Sequence, residues 1–188
     1  MQAIVTAAAI CVGKNGYEGT SLRQIADTAG VGVGSIYEYF SDKETIYTAM
    51  YMSVIRDTVS LIDELIPELV KLDTQSAITE LLIRFRAFVQ QNDELYLKVI
   101  QQSAGRKVSV KSDSVQDVLS RFLVQYILQN PEVSKVENIP AISYILINGG
   151  MSVVIKHIAD PNPPITFEAL AKTFGDIVVS YAQLFTKK

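Results

Sequence analysis

Apolar residues along this chain recur at intervals of three and four, the spacing of one face of an α-helix, while strand-like alternation is nearly absent. In residues 2–12, Ile4, Ala7, Ala8 and Cys11 share a face, and Asn15-Gly16 supplies a C-terminal stop. Thr20 is placed to cap a second helix over residues 21–28, which Gly30 ends. A third short helix is expected over residues 33–39. Ser41-Asp42-Lys43-Glu44 then matches the S-x-x-E capping box, opening a long fourth helix over residues 42–65. Past Pro67 the pattern predicts longer apolar helices over residues 74–91, 94–103, 114–129, 140–157 and 166–186. Loops are expected at 105–114, 130–138 and 159–164, where proline and polar residues cluster. The expected architecture is all-α: an N-terminal three-helix module over residues 1–48 and a larger helical bundle over residues 49–188.

The stretch AGVGVGSIYEYF, residues 29–40, spaces three glycines two apart. A dinucleotide fingerprint is excluded: its third glycine would fall on Ser35 or Tyr37, and the preceding residues have helical rather than strand periodicity. No lysine follows in the arrangement of a phosphate-binding P-loop. A helix-turn-helix accounts for the stretch better, since it joins two short helices by a tight, often glycine-bearing turn. Leu22, Ile25, Ala26, Val31, Ile36 and Phe40 then form its internal core. Gly30 and Gly32 are expected to take backbone angles that a larger side chain resists, and Gly34 to allow close approach to a surface.

The segment GYEGTSLRQIADTAGVGVGSIYEYFSDKETIY resembles the DNA-binding segment of the tetracycline-repressor (TetR) family. Its matching residues are Gly16, Tyr17, Thr20, Ser21, Ile25, Ala26, Ala29, Gly30, Val31, Gly34, Ile36, Tyr37, Tyr39, Phe40, Lys43 and Glu44. The resemblance implies a regulator, more a repressor than an activator, that binds a palindromic double-stranded DNA operator as a homodimer. It implies phosphate-contacting hydroxyls at Tyr37 and Tyr39, a backbone-holding role for Thr20 and Ser21, and groove-facing positions at Val33, Gly34, Ser35 and Glu38. Packing within the small core is the alternative for the two tyrosines. Glu38 either accepts from cytosine N4 or faces solvent. Lys43, in the first turn of the fourth helix, is poorly placed for the helix dipole, which suggests an outside anion as its partner; a solvated surface lysine is the alternative.

The resemblance further implies a small-molecule effector in the C-terminal body and a dimer built on the two last helices, where Gly149-Gly150 permits close backbone approach. An internal crossing is the alternative for that glycine pair. Phe85, Phe88, Tyr96, Phe122, Tyr126 and Tyr144 are candidates to line an apolar cavity, although aromatics at helical spacing also serve as ordinary core.

Composition limits these readings. Of 188 residues 48% are hydrophobic, and the mean hydropathy of +0.21 implies apolar surface beyond one monomer core, or a cavity. The net charge of −3 gives no global attraction to nucleic acid, so any positive potential must be local. Across residues 1–56 the cations Lys14, Arg23, Lys43 and Arg56 face the anions Glu18, Asp27, Glu38, Asp42 and Glu44. A helical carrier of hydrophobic ligands without specific DNA binding therefore stands as the rival reading.

Cys11 and His157 are the only residues of their kinds, which leaves no disulfide and no Cys/His metal cluster, and no cofactor is expected. Cys11 reads as a small core hydrophobe and His157 as a residue opposing a helix dipole. An enzyme is not expected, because no nucleophile-base spacing is recognisable. The start of the chain lacks the basic region of a secretory signal, and the apolar run 141–155 falls short of a bilayer span. The expectation is a soluble cytoplasmic protein with no membrane partner.

Overall fold

The computed structural model describes residues 1–91, 96, 99 and 114–186. The helix expected over 94–103 lies outside these, apart from Tyr96 and Val99, which are helical. The loop expected over 105–114, with Arg106, Lys107 and Lys111, lies outside them up to Ser114. Two compact units emerge: Met1–Asp57 with the described residues of Val89–Lys111, and Thr58–Phe88 with the described residues of Ser112–Lys188. The division falls inside the fourth helix rather than at residue 48, because Met50 and Val54 on that helix are buried in the N-terminal core.

The first unit holds α1 (Gln2–Asn15), α2 (Leu22–Ala29), α3 (Val33–Tyr37) and the start of α4 (Lys43–Leu69). The stripe expected on α1 is buried and is wider than read, taking in Val5, Ala9 and Val12. Ile25, Ala26 and Ile36 close the core between α2 and α3, with Leu22, Ala29 and Val31 packed at its edge and Phe40 buried in it. Burying each isoleucine contributes about 1.5–3 kcal/mol. Cys11 is a core residue, its sulfur 3.3 Å from the Thr28 hydroxyl.

Several helix ends differ from the expected ones for local reasons. Ser21, not Thr20, caps α2: its hydroxyl accepts from the Gln24 amide at 3.2 Å while the Gln24 side chain accepts from the Ser21 amide at 2.8 Å. At α4 the reciprocal pair is Asp42 with Thr45, one residue beyond the expected box. The Thr45 amide donates to Asp42 at 2.7 Å, and Ser41 merely donates to the Asp42 carboxylate. α3 stops at Tyr37. α4 continues past Pro67 to Leu69, because a proline in the last turn removes one hydrogen bond and leaves the bond from Val70 N–H to the Ile66 carbonyl intact.

The second unit continues with α5 (Thr74–Gln91), α6 (Val115–Gln129), α7 (Ile139–Ala159) and α8 (Phe167–Leu184). The polar stretch 130–138 is not irregular throughout. It contains a 3-10 turn, Pro131–Lys135, and is pinned to the end of α8 by a bond from Glu137 N–H to the Phe185 carbonyl at 2.8 Å. Ser114 and Thr166 cap α6 and α8 through their hydroxyls. Small cores form around Leu65, Leu69, Ala77 and Tyr126, around Ile62, Ile66 and Val118, and around Val154, Phe167 and Ala171. α7 has 21 residues and is apolar enough to cross a bilayer by length and composition, which corrects the shorter run read from the sequence. Its ends extend to Ile139 and Ala159, beyond the Pro140 and Lys156 that bounded that run.

Candidate nucleic-acid interface

The turn between α2 and α3 is set by one glycine. Gly30 is left-handed, at φ 68° and ψ 31°, and its N–H bonds back to the last turn of α2 while Val31 N–H reaches the Ala26 carbonyl at 3.0 Å. This double closure ends the helix and turns Val31 into the core. Gly32 differs from expectation: at φ −71° and ψ 148° its backbone is open to any residue. It shares with Gly34 a different property, since a methyl group on either would meet open space. The second and third glycines of the stretch leave room in front of α3; only the first is required by the turn.

On the outer side of this turn Tyr37 is 58% exposed, Tyr39 57% and Val33 37%, and Glu38 and Gly34 also face outward. Ile36 and Phe40 fill the core, and these larger apolar and aromatic groups stay on the surface of the module. The core-packing alternative for Tyr37 and Tyr39 does not hold in this structure. Ser35 is half-buried, its N–H held by the Gly32 carbonyl at 3.0 Å. Ser21 is exposed, with its hydroxyl engaged in the cap of α2.

Two expected residues are placed differently. Thr20 is only 2% exposed and donates its hydroxyl to the Gly16 carbonyl at 2.7 Å, so the group is turned inward. Lys43 is half-buried and donates to the carbonyls of Tyr17 at 2.9 Å and Thr20 at 3.0 Å, with its ammonium 4.2 Å from the centre of the Tyr17 ring. The compensation for a cation at a helix N-terminus is thus found inside the protein. Sequence reasoning missed both this arrangement and the Ser21–Gln24 box, although S-x-x-Q is itself a readable capping signal.

The profile of the family described as bacterial regulatory proteins, tetR family, matches residues 4–50. Residues 4–50 are a tetR-family segment. The described residues of the chain agree with the all-helical layout expected from the sequence, and the family that the segment matches is one of regulators, not of enzymes. Over 49 residues the chain is 39% identical to the HTH-type transcriptional repressor AcnR of Corynebacterium diphtheriae, a match that spans 26% of each protein. The fold of the whole chain is similar to a tetR-family regulator of Mesorhizobium loti, with a TM-score of 0.72 at 19% identity over 99% of this chain and 96% of that one. It is also similar to FadR of Bacillus subtilis, solved with stearoyl-CoA, with a TM-score of 0.65 at 19% identity over 96% and 98% of the two chains.

The six aromatic candidates for a ligand cavity are divided between the two compact units. Tyr96 belongs to the first unit, where it donates to Asp57 at 2.6 Å; burial, and then this bond and the charge of Asp57, push its phenol up to about 12. Phe122 and Tyr126 meet edge to face at 5.8 Å, and the buried Tyr126 donates to the Leu72 carbonyl at 2.9 Å. Burial raises the Tyr126 phenol as well. Phe85 packs on the cluster of Val154, Phe167 and Ala171, and Phe88 is half-buried. Tyr144 is 72% exposed and lines no interior. His157 stands in the last turn of α7 as expected, and its Nε2 donates to the Ile165 carbonyl at 2.8 Å. Among the described residues no group of three or more His, Cys, Asp or Glu is arranged to hold a metal.

Proposed function

We propose that this chain is a DNA-binding transcriptional repressor that reads a palindromic operator as a homodimer and is released by a small apolar or aromatic effector. The observation that carries the reading is the outward face of α3 and its flank, with Val33, Gly34, Tyr37, Glu38 and Tyr39 presented on a module that matches a regulator family. In this reading Tyr37 and Tyr39 hold phosphates, Ser21 and Ser35 support the register, and Val33 and Glu38 meet base edges across the opening left by Gly34. Phosphate contacts fix register while base contacts specify sequence.

Two recognition helices enter successive major grooves only when they stand about 34 Å apart, so specific binding needs a dimer. The exposed apolar residues of the last two helices, Tyr144, Ile145 and Val153 on α7 and Ile177 on α8, support pairing there. The acyl-CoA bound to the similarly folded FadR supports an effector with a long apolar part. Such an effector acts only through its differential affinity for the two states of the dimer.

One observation favours a second reading. The anions of residues 1–56 outnumber the cations, and Lys43 is engaged internally, which suits a helical carrier of hydrophobic ligands. Capture of source-genome fragments by the purified protein at near-physiological salt separates the two. Enrichment of a few palindromic sites supports the repressor, and their neighbouring genes identify the effector class. A folded protein that enriches none is the carrier.

A further inference from the structure

Lys43 and Glu44, the first two residues of α4, hold one tyrosine from both ends. The ammonium of Lys43 donates to the Tyr17 and Thr20 carbonyls at 2.9 and 3.0 Å and lies 4.2 Å from the Tyr17 ring centre. The Tyr17 hydroxyl donates to the Glu44 carboxylate at 2.7 Å, and the ring meets the buried Tyr47 edge to face at 5.0 Å. Residues 17–20 form the turn between α1 and α2, and the next residue, Ser21, is the cap from which α2 begins. The Thr20 hydroxyl is tied to the Gly16 carbonyl, so both ends of the turn are fixed.

A cation in the first turn of a helix is opposed by the helix dipole. Two carbonyls and an aromatic face offset that opposition, and two of the three ammonium donors are used in doing so. Moving this ammonium to an outside phosphate would take its donors from both carbonyls of the turn and its charge from the tyrosine face, leaving the Tyr17 carbonyl with the Thr20 N–H at 3.2 Å.

We propose that Lys43 is a positioning residue that latches the α1–α2 turn to the start of α4, and so sets where α2 begins, rather than a phosphate-contacting residue. The consequence for DNA rests on the repressor reading; the latch itself does not. Through it a displacement of the start of α4 is passed to α2 by bonded contacts, without waiting for the core to repack.

The test uses the full chain. In DNA-free protein, Lys43→Met keeps the aliphatic stem and removes the donors, and amide exchange across residues 17–24 is expected to quicken about tenfold. Unchanged exchange there overturns the latch. Should the variant fail to fold, acylation of the unaltered protein decides: Lys43 is expected to label about tenfold more slowly than the exposed Lys14, and equal labelling overturns the proposal. On an operator recovered from the genome capture, Lys43→Met is expected to weaken binding with an unchanged salt slope, whereas a slope shallower by about one unit marks a phosphate contact and overturns it. If no operator is recovered the repressor reading fails, while exchange and acylation still decide the latch.

Discussion

A methyl group built on Gly150 would stand 2.8 Å from Phe174 Cζ, so the crossing of α7 and α8 within one chain rests on the missing side chain of Gly150. Its neighbour Gly149 is exposed and has open space at the same position. The internal crossing therefore accounts for one glycine of the pair and leaves the other facing outward. Gly150→Ala is expected to destabilise by about 1 kcal/mol, the strain of overpacking exceeding the gain in helix propensity. Gly149→Ala should stabilise the helix by up to about 1 kcal/mol. Denaturant titration of the two variants, with opposite signs, checks this.

The exposed apolar face of the last two helices gives a second expectation. Ile145→Asp and Ile177→Glu should shift the protein from dimer to monomer in sedimentation equilibrium while leaving its helical circular dichroism unchanged, because neither side chain is buried within the chain. A dimer indifferent to both changes would place the interface elsewhere.

At the turn, Gly30→Ala should lower stability by about 1–2 kcal/mol, since φ 68° is a left-handed conformation that a Cβ resists. Gly32→Ala, in an ordinary extended conformation, should unfold like the parent. If both Gly32→Ala and Gly34→Ala bound operator as well as the parent, the open space before α3 would have no role in DNA binding.

Acid should weaken the fold through its helix caps. Hydrogen bonds to Thr45 hold the Asp42 carboxyl below the usual carboxylate range, bonds to Ser76 do so for Asp73, and bonds to Ser114 for Asp117. A group whose pKa is lower in the folded than in the unfolded chain stabilises the fold above its unfolded pKa and loses that contribution as pH falls through the folded one. Thermal melting should thus be flat near neutrality and decline below about pH 4, less steeply in Asp42→Asn. Ser41→Ala removes a lesser bond to the same carboxylate and should soften the decline less than Asp42→Asn does.

Tyr96 has the opposite sense. Its phenol, pushed up to about 12, favours the folded state below the ordinary tyrosine range, and that contribution is lost as pH rises through 12. In an ultraviolet titration of tyrosine ionisation, Tyr96→Phe should remove a step near the alkaline end.

The helical elements were legible because amphipathic spacing and capping residues are local properties: residues 74–91 read from spacing coincide with α5 (Thr74–Gln91), and the core of Leu22, Ile25, Ala26, Val31, Ile36 and Phe40 lies where its periodicity put it. What failed was the choice between adjacent candidates. Thr20 and Ser21 both suit a cap, as do Ser41 and Asp42, and the phase of the helix against its neighbours selects one.

The sequence by itself determined the all-helical architecture and the family of its first quarter, because both are written in spacing and residue type along the chain. Only the tertiary structure decided where side chains separated by many residues meet. Lys43 reaching back to Tyr17 and Thr20, Gly150 facing Phe174, and Tyr144 standing in solvent rather than lining a cavity all depend on which face of each helix packing leaves free. Periodicity gives a helix its stripe; which neighbour covers that stripe is settled by long-range packing, which carries no signature in a local window of sequence.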